Sequence, residues 1–226
     1  MKLCIDDANI EKIRRVYELY PIDGVSTNPS ILASTGRKPY EVLGEIREVI
    51  GSKGELFVQV VSDDADGMLR EAETIIDRTG IETLIKVPCV PQGFKAMKML
   101  AARGIRFIGT AVYTPMQGIL AAQIGAEYIA PYVNRIDNMG FDGVGVAKSI
   151  HDAIVNNGMT HSGLLAASFK NSQQVLELVK YGVKAVTVAP DLIEGFVKNP
   201  AIDTAVVKFR EDFAGLVGEG KTMADC

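Results

Sequence analysis

Eight short apolar segments alternate with longer segments of helical spacing, and this alternation constrains the fold more than any other feature of the chain. The segments are Lys2–Asp6, Asp23–Thr27, Glu55–Val60, Thr83–Val87, Ile105–Thr110, Glu127–Ala130, Gly163–Ala167 and Lys184–Val188, rich in Val, Ile, Leu and Ala. Between them, apolar residues recur with a helical period. Ile10, Ile13, Val16, Tyr17 and Tyr20 form one stripe, and Tyr40, Leu43, Ile46, Val49 and Ile50 another. Val175, Leu178 and Val179 mark a third within Gln173–Tyr181. Gly80, Gly104, Gly125 and Gly182 each stand after a helical segment and before a strand, where C-terminal caps belong. Strand-then-helix repeated in this way demands parallel strands with helical crossovers. Eight units within 226 residues predict an α/β fold, a (β/α)8 TIM barrel. The alternative is an open doubly wound sheet. Residues 199–217 read as an additional C-terminal amphipathic helix, and 218–226 as a polar, mobile tail. No linker or low-complexity stretch divides the chain, so a single domain over 1–226 is expected.

Charge and cysteine usage narrow the function. A net charge of −4 without any basic run argues against a nucleic-acid partner. No stretch approaches the length of a membrane-spanning helix, and the N-terminus reaches Asp6 and Asp7 before any long apolar run, unlike a signal peptide. Cys4, Cys89 and Cys226 are odd in number, far apart and in no CxxC pair, a reduced cytoplasmic pattern with neither a disulfide framework nor a metal cluster. His151 and His161 fall away from the strand ends and read as surface or packing residues.

In a barrel of this kind alternate strand residues face inward and active sites form at the C-terminal strand ends. The last inward candidates are Asp6 (in step with Cys4), Asn28 (with Gly24 and Ser26), Gln59 (with Phe57), Lys86 (with Leu84), Thr110 (with Ile108) and Ser168 (with Leu164 and Ala166). The sixth strand is followed by Tyr132, Asn134 and Arg135. Thr187 is the one polar residue of the eighth, and no role is assigned to it. Each has a plainer reading. Asn28 before Pro29 starts a turn, Thr110 and Ser168 cap helices, and Asp6 caps the first helix. Gln59 bonds a loop carbonyl, Tyr132 is core, and Arg135 pairs with Asp137. Their convergence at one end of one barrel favours the functional reading.

Lys86 is the hardest to explain by structure alone. An ammonium among Leu84, Ile85 and Val87 is costly to bury, and such a group lowers its pKa instead. A lysine that is neutral near physiological pH is a nucleophile suited to forming a Schiff base with a ketone or aldehyde. The competing reading is an ion pair with Asp6, and the two are compatible because such an enzyme needs an acid or base nearby. A Schiff base makes the substrate carbonyl an electron sink, so that carbon–carbon cleavage proceeds without a metal or other cofactor.

The stretches Gly24–Ser30, Ile85–Pro88, Gly109–Tyr113, Ala130–Asp137 and Ala166–Lys170 resemble the small transaldolases, and most closely their fructose-6-phosphate aldolase branch, with similarity from Lys2 to about Phe213. The resemblance implies a (β/α)8 barrel and a metal-free aldol reaction. It implies that Lys86 is the Schiff-base lysine and Asp6 the carboxylate assisting proton transfer. Ser26 and Asn28 would bind hydroxyls of the dihydroxyacetone unit, Thr110 would lie beside the lysine, and Arg135 with Ser168 would hold the phosphate. Gln59 stands where transaldolases carry a glutamate that positions water, and Tyr132 where many carry phenylalanine. Both favour an aldolase cleaving a ketose phosphate such as fructose 6-phosphate to dihydroxyacetone and glyceraldehyde 3-phosphate, ahead of a transaldolase. An isomerase and a non-catalytic phosphosugar-binding protein are weaker alternatives. The chain departs from the branch at Ser26 and Asp7, both threonine positions, at Phe107, whose bulk would narrow the pocket if it faced inward, and at Cys89 and Pro91 in the loop after the lysine. The resemblance further implies a homo-oligomer, a pentamer or decamer, for which Tyr20, Phe196, Phe209, Phe213 and Leu216 supply apolar surface.

Overall fold

The computed structural model describes residues 1–226, which fall into two compact units, Met1–Ile193 and Glu194–Cys226. In the first unit, strands β1 (Lys2–Asp6), β2 (Gly24–Ser26), β3 (Glu55–Gln59), β4 (Leu84–Pro88), β5 (Phe107–Val112), β6 (Tyr128–Pro131), β7 (Gly163–Ala166) and β8 (Ala185–Val188) close in sequence order into a barrel. Every neighbouring pair is parallel, including β1 with β8. All eight expected strands are present, the closed barrel displaces the open sheet, and most differences are of one or two residues at the ends.

The helices are α1 (Ile10–Leu19), α2 (Pro29–Ser34), α3 (Pro39–Ile50), α4 (Ala65–Thr79), α5 (Pro91–Ala102), α6 (Pro115–Ile124), α7 (Val133–Asp137), α8 (Gly143–Asn156), α9 (Ser172–Tyr181), α10 (Pro190–Gly195) and α11 (Pro200–Val217). Their starts follow local chemistry. Asn9, Asp64, Asp142 and Asn171 accept hydrogen bonds from first-turn amides, and Thr114 closes a capping box with Gln117. Proline opens α2, α3, α5 and α6, where its missing N–H costs nothing. Gly80, Gly125 and Gly182 serve as C-caps, and Gly104 follows the end of α5 with φ 68°. In the second unit α11 covers the expected 199–217 almost exactly in length, and none of its residues is buried. A short 3-10 turn, Met223–Asp225, follows.

Two layers of apolar side chains hold the barrel. The outer layer packs strand residues such as Ile5, Val25, Val58, Ile85 and Ile129 against the helical stripes. Each fully buried Leu or Ile there contributes about 1.5–3 kcal/mol. The inner layer is Cys4, Phe57, Leu84, Ile108, Tyr128, Ala130, Leu165 and Ala185, a filled interior rather than a pore. Phe107 belongs to the outer layer and does not narrow the mouth.

The inward parity expected for β7 is reversed. Leu165 enters the interior, while Leu164 and Ala166 join the outer layer. The strand is apolar throughout, so its sequence carries no alternation from which to read a register. Ser168 lies beyond β7 with φ 60°, and its position is set by that left-handed turn, not by strand alternation. A second non-glycine residue with positive φ, Ala111 at 54°, sits in β5 where the register with β6 shifts between Gly109 and Val112. Gly93 on α5 lets that helix approach β4, since a Cβ there would lie 1.9 Å from the Pro88 carbonyl oxygen.

Candidate active site

Lys86 lies in the barrel interior near the end of β4, in register with Gln59 on one side and Ile108 on the other, and is 3% exposed. Its Nζ donates to Ser26 Oγ and to the Thr27 carbonyl oxygen, each at 2.8 Å. A neutral amine has two N–H groups and one lone pair, so these two acceptors saturate its donors and leave the lone pair free. An ammonium would carry a third N–H, which neither acceptor serves. Burial drives the Lys86 pKa below its ordinary value, and the attraction of Asp6 only partly opposes this. The ion pair with Asp6 is not formed: the lysine's hydrogen bonds go to Ser26 and Thr27.

Asp6 ends β1 on the same inner face as Cys4 and Ser26. It does not cap α1. Asn9 caps that helix, and Asp7 accepts from the amides of Ala8 and Asn9 at 2.7 and 2.8 Å. Burial pushes the Asp6 carboxyl above the usual carboxylate range, with Lys86, Ser26 and Arg135 pulling the other way and Asp7 reinforcing the rise. The pair is thus shifted toward its uncharged forms from both sides.

Across the mouth, Thr110 is fully buried, and its hydroxyl shares a 3.0 Å hydrogen bond with the Tyr132 hydroxyl. Thr110 therefore caps no helix; Thr114 does that for α6. Burial raises the Tyr132 pKa, so the phenol stays protonated as a donor or acid. Tyr132 is not simply core. Tyr113 meets it edge-on with ring centroids 5.7 Å apart, and the Arg135 guanidinium lies 4.8 Å above its ring. The neighbouring Tyr113 side chain, foremost, holds the exposed Arg135 more firmly protonated. Asp137 is no partner of Arg135: it accepts from Gly143 N at 2.7 Å and Gln174 Nε2 at 2.6 Å.

Asn28 does carry its plainer role, its Oδ1 capping α2 through Ile31 N at 3.0 Å, which leaves its amide N–H groups free. Gln59 points inward with Phe57, and its Oε1 is buried without a hydrogen-bond partner in the protein. Ser168 caps nothing, since Asn171 caps α9. Its carbonyl instead accepts from Asn134 N at 2.7 Å, joining the β7 loop to α7. The barrel thus gathers Asp6, Ser26, Gln59, Lys86, Thr110 and Tyr132 at one end, with Asn28 and Ser168 on the loops around it and Arg135 on α7.

Three features of the site escaped sequence reasoning. The Thr27 carbonyl is main chain and leaves no trace in residue identity. Tyr113 was detectable as an aromatic residue three positions beyond Thr110 at a strand end. Thr187, buried in the interior with an unpartnered hydroxyl, was visible as the polar residue of β8 but carried no second signal.

Chemically, the arrangement offers a dehydrated amine, a carboxyl of raised proton affinity and a phenol, with a guanidinium at the rim. The family model described as transaldolase/fructose-6-phosphate aldolase matches residues 3–223, and the chain belongs to that family. Among solved structures, it is similar to a mutant flavocytochrome b2 with pyruvate bound, at 10% identity and a TM-score of 0.62 over 84% of this chain. A mandelate oxidase mutant with the monooxide FMN adduct matches at 13% identity and a TM-score of 0.56 over 83% of this chain. The chain spans 56% and 63% of the length of those two proteins, and at such identities the likeness concerns the barrel alone. No helix is long and apolar enough to cross a membrane.

Proposed function

We propose that this member of the transaldolase/fructose-6-phosphate aldolase family is a Schiff-base aldolase acting on a ketose phosphate such as fructose 6-phosphate. The observation carrying this reading is the Lys86 amine, buried at the barrel mouth with two acceptors for two N–H groups.

The Lys86 lone pair attacks the ketose carbonyl carbon. The carbonyl oxygen takes up two protons and leaves as water, and an iminium remains. Asp6 then accepts the proton of the hydroxyl on the β carbon. The bond between the α and β carbons breaks, its electron pair passes into the iminium to give an enamine, and the β carbon becomes the aldehyde of glyceraldehyde 3-phosphate. A carboxyl of raised pKa suits this step, because burial makes its carboxylate a stronger base toward that hydroxyl proton. The enamine takes a proton on its α carbon, water adds to the iminium carbon, and dihydroxyacetone leaves as Lys86 is regenerated. The Tyr132–Thr110 hydroxyl pair supplies or relays the proton, and the free Gln59 Oε1 accepts from the attacking water. Ser26 and Asn28 hold hydroxyls of the three-carbon unit. Arg135 and Ser168 take the phosphate, the guanidinium through charge-assisted hydrogen bonds.

The family description also covers transaldolase chemistry, in which the enamine attacks a second aldehyde instead of being protonated. The orphan Gln59 oxygen at the mouth, ready to accept from water, favours release over transfer. Self-association through the exposed apolar side chains of α11, such as Ile202, Phe209 and Leu216, belongs to the same reading.

The test is borohydride reduction with fructose 6-phosphate and no acceptor. A three-carbon adduct on Lys86 and free glyceraldehyde 3-phosphate are expected. Absence of an adduct from any ketose phosphate would falsify the reading, and aldehyde formed only after an acceptor is added would make the enzyme a transaldolase.

A further inference from the structure

Arg135 and Ser168 lie on different elements, and a ring of hydrogen bonds ties those elements together. At the start of α7, Val133 N donates to the Ala167 carbonyl at 3.0 Å and Asn134 N to the Ser168 carbonyl at 2.7 Å. At its end, Asp137 Oδ2 accepts from Gln174 Nε2 at 2.6 Å, while Asp137 Oδ1 accepts from Gly143 N at 2.7 Å. Gln174 Oε1 in turn accepts from Lys170 N at 2.8 Å, two residues beyond Ser168. The ring runs from α7 through Ser168 and Lys170 to Gln174, and back through Asp137 to α7. Gln174 is 9% exposed, so water competes poorly for these bonds. Ser168 holds a φ of 60°, unfavourable for a serine and sustained only where surrounding structure fixes it.

We propose that the Asp137–Gln174 hydrogen bond is a positioning device that holds Arg135 and Ser168 in register with one another and so sets the affinity for the phosphate end of the substrate. Neither Asp137 nor Gln174 touches substrate; both act through the two residues they anchor. The inference rests on the reading of Arg135 and Ser168 as the phosphate grip. It adds a direction of bonding that can be reversed: carboxylate accepting, amide donating.

That polarity supplies the test. Asp137→Asn sets two amide N–H groups against each other, and Gln174→Glu sets two carboxylates against each other. Asp137→Asn with Gln174→Glu exchanges donor and acceptor. The amide at 137 then donates to the carboxylate at 174, and both positions keep an acceptor oxygen for Gly143 N and Lys170 N. Each single variant is expected to raise KM for fructose 6-phosphate about tenfold, the scale of one hydrogen bond to a charged group. The affinity for inorganic phosphate as competitive inhibitor should weaken in parallel. The kcat and the rate of borohydride trapping of unphosphorylated dihydroxyacetone on Lys86 should stay within about twofold of the parent, a difference too small to be a lost bond. The double variant should recover KM and phosphate affinity. Singles that lose phosphorylated and unphosphorylated substrates equally, singles without loss, or a double variant that fails to recover would each overturn the inference. If the unaltered protein gives no adduct with either sugar, the aldolase reading itself fails. If it gives the adduct while the variants behave in one of those three ways, only the positioning role fails.

Discussion

At the N-terminal opening of the barrel Lys2 donates to Glu55 at 2.7 Å, whereas near the C-terminal opening Lys86 has only a hydroxyl and a carbonyl as partners. Around Glu55 the pairing is dense. The Tyr128 hydroxyl lies 3.3 Å from its Oε2, Arg106 sits 3.6 Å from it and 2.8 Å from Glu127, and Lys184 covers the Tyr128 ring at 4.7 Å. Burial alone would lower the Lys2 pKa, but Glu55 and Tyr128 outweigh it and hold Lys2 at about 12. Near the mouth the balance goes the other way. Burial wins at Lys86 and lowers its pKa, and burial wins at Asp6 and raises its pKa. One opening spends its charges on cohesion, and the other keeps an amine and a carboxyl from settling into a pair. The difference lies in geometry and not in residue type: a lysine and an acid serve both ends.

The contrast breaks most sharply at Lys86. Lys86→Met should abolish adduct formation and turnover entirely. It should also leave stability unchanged or raise it by about 1 kcal/mol, because an amine that was costly to bury is gone. A thermal or urea unfolding series decides this, and a large loss of stability would mean that the amine serves cohesion after all. The opposite pattern is expected for Glu55→Gln. It leaves Lys2 and Arg106 short of a carboxylate in a part-exposed network, so a loss of roughly 1–3 kcal/mol is expected in the same unfolding series, with the rate of Lys86 labelling intact.

The smallest effect is in the pH dependence, and its sign differs between the two ends. Lys2 has its folded pKa raised from 10.5 to about 12, so its contribution is complete below pH 10.5 and is lost between 10.5 and about 12. Lys86 has a folded pKa below 10.5, so the unfolded chain binds more protons between that value and 10.5, and stability rises with pH across that window. Asp6, raised above 3.8, gives a contribution that falls as pH rises from 3.8 through its folded value. Lys2→Met should remove the alkaline loss, and Lys86→Met the rise beneath it, in unfolding curves collected from pH 7 to 12.

Much of this was legible in the sequence, for identifiable reasons. Eight apolar segments with glycine caps and helical stripes between them specified a parallel barrel, because few architectures accommodate that repeat. The inward positions of β1, β3, β4 and β5 followed from alternation, since each places Asp6, Gln59, Lys86 or Thr110 two residues beyond an interior side chain. The same rule failed at β7, where Gly163–Ala166 is apolar on both faces and Ser168 is aimed by a left-handed φ. Hydrogen-bond partners were the least legible. Which of the neighbouring polar residues would cap was not fixed by identity: Asn9 and Thr114 do the capping and leave Asp6 and Thr110 to the site, and the plainer pairing of Arg135 with Asp137 is displaced by Gln174, which is remote in sequence. Those choices depend on loop geometry, which single residues do not encode.

The measurement closest to the central claim is the titration of Lys86 in the free protein, by lysine-selective nitrogen NMR with Lys86→Met to assign the signal. The Lys86 amine is expected to lose its proton well below 10.5, while Lys2 retains its proton to about 12. A Lys86 signal that titrates at or above 10.5, together with Lys2, would contradict the account.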